Sequence, residues 1–259
     1  MCHPRHFDVL YDINPWMSNQ KNNVNNQKAT EQWSRLVNAL QNVSDVYFTN
    51  SIENLPDLVF TANAGFVSHK MAILSKFSKI ERQSEEKYFQ KWFENNGYKI
   101  VQPKYSYEGE GDHLVDSLGR HWVGFGFRTD IRAVDQLNDF LNTKVFPLEL
   151  VDPRWYHLDT AFCPLPNGEL LWYPSAFSLT SQQLISKSFQ CTVEIDIDDA
   201  LLFSCNCIPL GNNLFLPKNI SVSNDLRNLG YTVHEFDLSE FIKAGGAAKC
   251  LVLIIRETL

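Results

Sequence analysis

Cys250 follows the run Lys243-Ala244-Gly245-Gly246-Ala247-Ala248-Lys249 and directly precedes an apolar stretch. Small residues let a ligand approach the main chain, and a thiolate at the mouth of a strand beside Lys249 has the makings of a nucleophile. A buried structural cysteine is the competing reading, since most free cysteines are that. His157 and Asp159, in Trp155-Tyr156-His157-Leu158-Asp159-Thr160, are two positions apart, so an extended strand would carry both on one face. An imidazole beside carboxylates titrates near neutrality and suits proton transfer, although a lone strand histidine is more often structural.

Glu108-Gly109-Glu110-Gly111-Asp112 packs three carboxylates into five residues. Their mutual repulsion calls for water, in an exposed acidic turn, or for a bound cation. A planar guanidinium matches paired carboxylate acceptors, whereas a hard metal ion wants more oxygen ligands than the other loops supply. Arg128, after Gly124-Phe125-Gly126-Phe127, can pair with the carboxylate of a ligand or with one of these acids. Asn14, before Pro15, and Asn63, in Phe60-Thr61-Ala62-Asn63-Ala64-Gly65, read singly as turn residues.

Helices must position these groups. Trp33, Leu36, Val37 and Leu40 recur at helical spacing, as do Tyr88, Phe89, Trp92 and Phe93, and Ile131, Val134, Leu137 and Leu141. Thr180 with Gln183 reads as a capping box before Leu184 and Ile185, and a shorter helix runs from about Ser221 to Gly230. Strand-like segments follow each helix, among them Trp122-Val123-Gly124-Phe125 and Leu251-Val252-Leu253-Ile254-Ile255. Helix starts near 29, 82, 130, 180 and 221 suggest an internal repeat, and Gly97-Tyr98 and Gly230-Tyr231 share the passage from helix end to strand. Asn63, Asp112, Asp159 and Cys250 fall at similar distances after their helix starts, with Asn212 in the remaining unit. Units packed around an axis would bring such positions together in one central pocket. The expectation is an α/β chain forming a single domain over residues 1–259. Typical loop and helix lengths offer a plainer source for the shared spacing.

The composition excludes several partners. The chain has 259 residues, 44% of them hydrophobic and 20% charged, as in ordinary globular proteins. Its net charge of -7 is spread without a basic stripe, which argues against nucleic acid. No apolar run is long enough to span a membrane and the first residues lack a signal peptide's apolar core, so the expectation is a cytoplasmic protein without membrane contact. Six cysteines without a secretion signal read as free thiols, and Cys205-Asn206-Cys207 has the wrong spacing for a zinc site. Neither a metal nor a cofactor is expected, and a homo-oligomer stays open.

Leu55-Pro56-Asp57-Leu58-Val59-Phe60-Thr61-Ala62-Asn63-Ala64-Gly65, Glu110-Gly111-Asp112, Gly124-Phe125-Gly126-Phe127-Arg128-Thr129-Asp130, His157-Leu158-Asp159-Thr160 and Gly245-Gly246-Ala247-Ala248-Lys249-Cys250 together resemble the pentein, or amidinotransferase, superfamily of guanidino-modifying enzymes. The likeness covers nearly the whole chain and is strongest to the arginine dihydrolases, aided by Ile13-Asn14-Pro15-Trp16-Met17. It implies a five-bladed α/β propeller and a hydrolase that takes arginine to ornithine, ammonia and carbon dioxide. Arginine deiminase or dimethylarginine dimethylaminohydrolase activity, giving citrulline, is the alternative. A catalytically inactive pentein binding module is the non-enzyme reading. By the resemblance Cys250, His157 and Glu110 are the catalytic residues, Cys250 as nucleophile and His157 as acid and base. Glu110, Asp112 and Asp159 hold the guanidinium, with Glu108 the alternative to Glu110. Arg128 binds the α-carboxylate, and Asn14 and the Ala244 backbone lie near the amino-acid end. Asn63 stands where deiminases carry an aspartate, and its amide is expected to serve both the guanidinium and a ureido intermediate.

Overall fold

The computed structural model describes residues 1–256 and shows a mixed α/β chain. Helix α1 (Asn26–Leu40) starts where the Asn25 side chain accepts from the Lys28 N–H, and it buries Trp33, Leu36, Val37 and Leu40 on one face. Four ββαβ units follow. The first is β1 (Gly65–Ser68), β2 (Met71–Leu74), α2 (Gln83–Asn95) and β3 (Lys99–Val101). The second is β4 (His113–Val115), β5 (His121–Phe125), α3 (Ala133–Leu141) and β6 (Val145–Glu149). The third is β7 (Phe162–Pro164), β8 (Leu170–Trp172), α4 (Leu179–Ser188) and β9 (Thr192–Glu194). After the short α5 (Ile197–Leu201) comes the fourth, with β10 (Ile208–Leu210), β11 (Asn213–Pro217), α6 (Ser223–Asn228) and β12 (Thr232–Phe236).

In every unit the first two strands are antiparallel, and the helix returns the chain to a strand parallel to the second. The chain around α1 does not complete such a unit among the described residues. Cys2 and Thr49 form a single parallel bridge on either side of α1, and β13 (Ile255–Arg256) pairs with β1 instead.

Several expectations shift. Ile131 lies ahead of α3 and is exposed, because that helix begins at Ala133. The cap of α4 is Ser178, whose hydroxyl accepts from the Ser181 N–H, and not Thr180, which is already helical. Of the stretch Leu251–Ile255 only Ile255 is in a strand, because Leu251 closes a 3-10 turn. Gly97 and Gly230 both take positive φ between helix and strand, at 77° and 94°. No described helix is long and apolar enough to cross a membrane.

The apolar core gathers in four clusters around the helices and sheets. The polar centre is made by the turns that enter the first strand of each unit. Thr61–Ala64, Gly109–Gly111, Leu158–Thr160, the loop ending at Asn206, and Lys249–Leu251 are joined by hydrogen bonds in a circuit. Asn63 Nδ2 donates to Glu108 O at 3.1 Å, Leu158 N to Asp112 Oδ1 at 3.1 Å, Asn206 Nδ2 to Asp159 O at 3.1 Å, Cys250 N to Asn206 Oδ1 at 3.2 Å and Thr61 Oγ1 to Leu251 O at 2.8 Å. The turns meet closely at Gly109, with φ of 57°, where a Cβ would lie 2.7 Å from the Gly65 main chain.

Candidate active site

Cys250 is buried at the end of this circuit. Its Sγ donates to Asp159 Oδ2 at 3.2 Å and accepts from Asn206 Nδ2 at 3.1 Å. Burial, reinforced by the Asp159 carboxylate, pushes its pKa well above the ordinary thiol value, so the resting group is a neutral thiol. Burial also lifts Asp159 to about 7, and its Oδ1 has no hydrogen-bond partner among the described residues. A bound cation is the natural complement to both shifts, since it favours the carboxylate and the thiolate together.

His157 and Cys250 line one small cavity of about 10 Å³, with Asn14, Asn63, Arg82, Arg128 and Tyr156 on its walls. That volume is about one water molecule, so an amino acid fits only if residues lining the cavity shift. His157 does not sit on a strand. It caps the 3-10 turn Leu158–Thr160, which sends its side chain to this cavity while Asp159 turns toward Cys250 and Lys249. His157 Nε2 lies 2.7 Å from Glu108 Oε2, and burial lowers the imidazole pKa to about 4, only partly offset by that contact. A neutral imidazole with its Nε2–H on Glu108 leaves Nδ1 as the atom able to take a proton; this tautomer follows from the hydrogen bond.

The acidic run does not act as one cluster. Glu108 is held by Arg128 Nη1 at 3.1 Å and by His157, and although burial opposes it, these neighbours keep its carboxyl far below the usual range. Glu110, the acid chosen from the sequence as catalytic, faces elsewhere. Its carboxylate meets Lys249 Nζ at 2.9 Å, the Ile254 N–H at 3.0 Å and Arg256 Nη1. Burial would raise the Glu110 pKa, but Arg256 and Lys249 hold it low. Of the two alternatives Glu108, not Glu110, is therefore the acid beside His157, because the 3-10 turn at Gly109–Gly111 points the two carboxylates to different cations. Asp112 makes no ion pair among the described residues. It accepts from Thr129 Oγ1 at 2.7 Å and from the Leu158 N–H, burial raises its pKa strongly, and it braces the turn beneath the cavity instead of lining it.

Arg128 stacks over Tyr156 at 4.6 Å and donates to Ile13 O at 3.0 Å, with one face toward the cavity. Asn14 caps the turn Pro15–Met17 through Oδ1 and donates from Nδ2 to Ala244 O at 3.1 Å, so the Ala244 carbonyl is already engaged. Asn63 is also engaged at both ends, since Oδ1 accepts from Arg82 Nη1 at 2.9 Å. One lone pair and one N–H remain for a ligand.

Three features escaped the sequence. Asn212 is an exposed turn residue bonded to Gly230 O, and its expected place is taken by Asn206. Asn206 stands two residues before β10 as Asn63 stands two before β1, a phase visible when counting from strand starts instead of helix starts. Arg82 reaches the cavity while Glu85 clamps it at 2.8 Å, a helix-entry pair indistinguishable in sequence from a surface one. Tyr156 donates to Gly245 O at 2.8 Å, where Gly245 has φ of 82° and no room for a Cβ beside Asn14. All six cysteines are free.

Residues 12–257 match the family described as N,N dimethylarginine dimethylhydrolase, eukaryotic. The chain is 43% identical over 263 residues to the bifunctional arginine dihydrolase/ornithine cyclodeaminase AgrE of Nostoc sp. PCC 7120, covering 99% of this chain but 37% of that protein. It is 38% identical over 257 residues to the N(G),N(G)-dimethylarginine dimethylaminohydrolase of Mycobacterium tuberculosis, covering 98% of this chain and 84% of that one. In structure it matches the N-terminal domain of ArgZ, a cyanobacterial arginine dihydrolase solved as a cysteine-to-serine variant with substrate, at a TM-score of 0.97 and 39% identity over 99% and 97% of the two chains. The chain thus spans little more than a third of the bifunctional relatives while matching a separate catalytic domain end to end. With its thiol, imidazole and acids gathered at one centre, the chain belongs to the N,N-dimethylarginine dimethylhydrolase family.

Proposed function

We propose that the protein is a cysteine hydrolase of the arginine guanidino group, working as an arginine dihydrolase on a single catalytic domain. The five turns joined in one hydrogen-bonded circuit support a pseudo-fivefold propeller with the site on its axis. The observation that carries the reading is the buried Cys250 Sγ held between Asn206 Nδ2 and the Asp159 carboxyl, a pair that a guanidinium cation would favour as thiolate and carboxylate.

In this scheme Cys250 Sγ bonds to the guanidinium carbon, the thiol proton passes by way of His157 to the departing nitrogen, and ammonia leaves. His157 then takes a proton from water, the water oxygen adds to the carbon, and the C–S bond breaks to give a ureido group. A second attack expels the second ammonia and leaves a thiocarbamate. Its hydrolysis yields a carbamic acid that loses carbon dioxide to give ornithine. Glu108 orients His157, Asp159 faces the cation, and Arg128 with Arg82 faces the α-carboxylate across the cavity from Asn14 and Ala244. Glu110 and Asp112 hold the turn that carries Glu108.

Retention of the ureido intermediate falls to Asn63. An aspartate there would turn a negative oxygen toward both the Glu108 carbonyl and the neutral ureido oxygen, so citrulline would leave early. Incubation with arginine should yield ornithine and two equivalents of ammonia with little citrulline, and Asn63→Asp should move the output toward citrulline. Stoichiometric citrulline from the unmutated protein would instead establish a deiminase. Preferred turnover of a methylated arginine, the substrate named for the relative from Mycobacterium, would establish a methylarginine hydrolase.

A further inference from the structure

Tyr156 lines the central cavity, and the hydrolytic scheme gives it no proton to move. Its ring carries the Arg128 guanidinium at 4.6 Å, and its centroid is 4.7 Å from that of the His157 ring, inclined at 50°. Arg128 and His157 are also tied to each other, because Glu108 Oε2 accepts from Arg128 Nη1 at 3.1 Å and from His157 Nε2 at 2.7 Å. A carboxylate oxygen and an aromatic ring thus fix, between them, the separation of this cation from the acid/base imidazole. The far end of the ring is held as well, since the Tyr156 hydroxyl donates to Gly245 O at 2.8 Å. The glycines there leave no slack. A Cβ at Gly245 would lie 2.9 Å from Tyr156 Oη, and one at Gly246 would lie 2.6 Å from Phe60 Cε1 and 3.2 Å from Cys250 Cβ.

A substrate amino acid sets its α-carboxylate at Arg128 and its guanidino carbon between Cys250 and His157. Its methylene chain then runs along the Tyr156 ring, the apolar surface that both ends share. An aromatic ring pinned at a face, an edge and its hydroxyl does not yield to an added methylene, whereas a flexible aliphatic side chain repacks around one. The geometry points to Tyr156 as the residue that measures the length of the substrate chain, admitting arginine and rejecting its homologue one methylene longer. This rests on the proposed guanidino hydrolysis and adds a determinant of chain length to it. The homologue one methylene shorter is rejected for a different reason. Held at Cys250, its carboxylate falls short of Arg128 whatever stands at position 156.

The test compares kcat/KM, read as ammonia release, for arginine, homoarginine and norarginine, which differ only in methylene count. The unmutated protein should prefer arginine over homoarginine by about tenfold or more. Tyr156→Leu and Tyr156→Ala shorten the wall and should narrow that preference by about tenfold, while the preference over norarginine stays. Tyr156→Phe keeps the ring and should keep both preferences, with KM for arginine raised about two- to tenfold as the Gly245 carbonyl loses its donor. Equal use of arginine and homoarginine by the unmutated protein overturns the proposal. So does an unchanged ratio in the shortened variants, or an equal gain for both homologues, which marks general loosening. Loss of the preference in Tyr156→Phe would place the measure in the Gly245 anchor and overturn the role of the ring; this arm needs only the variant that keeps the ring's packing. No ammonia from arginine with the unmutated protein would overturn the hydrolase reading and the length measure together, whereas arginine turnover with the wrong ratios overturns the length measure alone.

Discussion

Replacing Asn206 tests the site at the residue the spacing did not single out. Its amide makes four hydrogen bonds: Oδ1 accepts from Ala247 N at 3.1 Å and Cys250 N at 3.2 Å, and Nδ2 donates to Asp159 O and to Cys250 Sγ at 3.1 Å. In Asn206→Ala two buried main-chain N–H groups lose their acceptor at about 1–3 kcal/mol each, so the fold should weaken by about 2–6 kcal/mol. The thiolate loses a donor worth about 1.5–3 kcal/mol, which lowers kcat/KM by about ten- to 150-fold and raises the Cys250 pKa still further. Asn206→Asp separates the two effects. It keeps an acceptor for both N–H groups but sets a carboxylate against the sulfur, so activity should fall further than stability. Steady-state turnover and chemical denaturation give the first two quantities. The third comes from the pH dependence of alkylation, read on the Cys250 peptide by mass spectrometry because the exposed Cys191 also reacts. Kinetics within about threefold of the parent in Asn206→Ala, with an unchanged alkylation profile, would refute the assignment of Asn206 to the thiolate.

Cys250→Ser should lose essentially all turnover while the unmutated protein stays active in EDTA; retained activity in the variant, or inhibition by the chelator, would reject the thiol mechanism. Glu108→Gln should cost about 10²–10⁴ in kcat through the loosened His157, whereas Glu110→Gln should cost about 3–5 kcal/mol of stability by stranding Lys249 and Arg256 and should spare kcat by comparison. The reverse ranking in kinetics and denaturation would return Glu110 to the catalytic role. Burial raises Asp159 from 3.8 to about 7, so its neutral form is favoured in the fold, and this stabilisation is lost as pH rises through that window. A guanidinium favours the ionised form, so KM should fall as pH rises through about 7, and Asp159→Asn should flatten that limb. An unaltered pH profile in the variant would exclude Asp159 as the titrating group.

What the sequence determined is what lies within a few residues of itself. The periodicity of Trp33, Leu36, Val37 and Leu40 is sufficient for α1, and the glycines of Gly97-Tyr98 and Gly230-Tyr231 mark helix exits wherever the helices later pack. Residue types alone marked Cys250, His157, Arg128 and the acidic run as capable of chemistry, and their wording identified the family. Tertiary structure decided which charges meet. Glu108 and Glu110 are two positions apart and locally equivalent, yet the cations that claim Glu110 come from 139 and 146 residues away in sequence. A carboxylate's role in a dry interior is set by its nearest countercharge, and that is settled only when distant turns arrive together. Asn206 acquired its place in the same way, from a turn two residues ahead of a strand whose counterpart in another unit carries Asn63. The strand expected at His157 became a 3-10 turn because the centre is built from turns, and there each polar main-chain group finds its partner in the neighbouring unit.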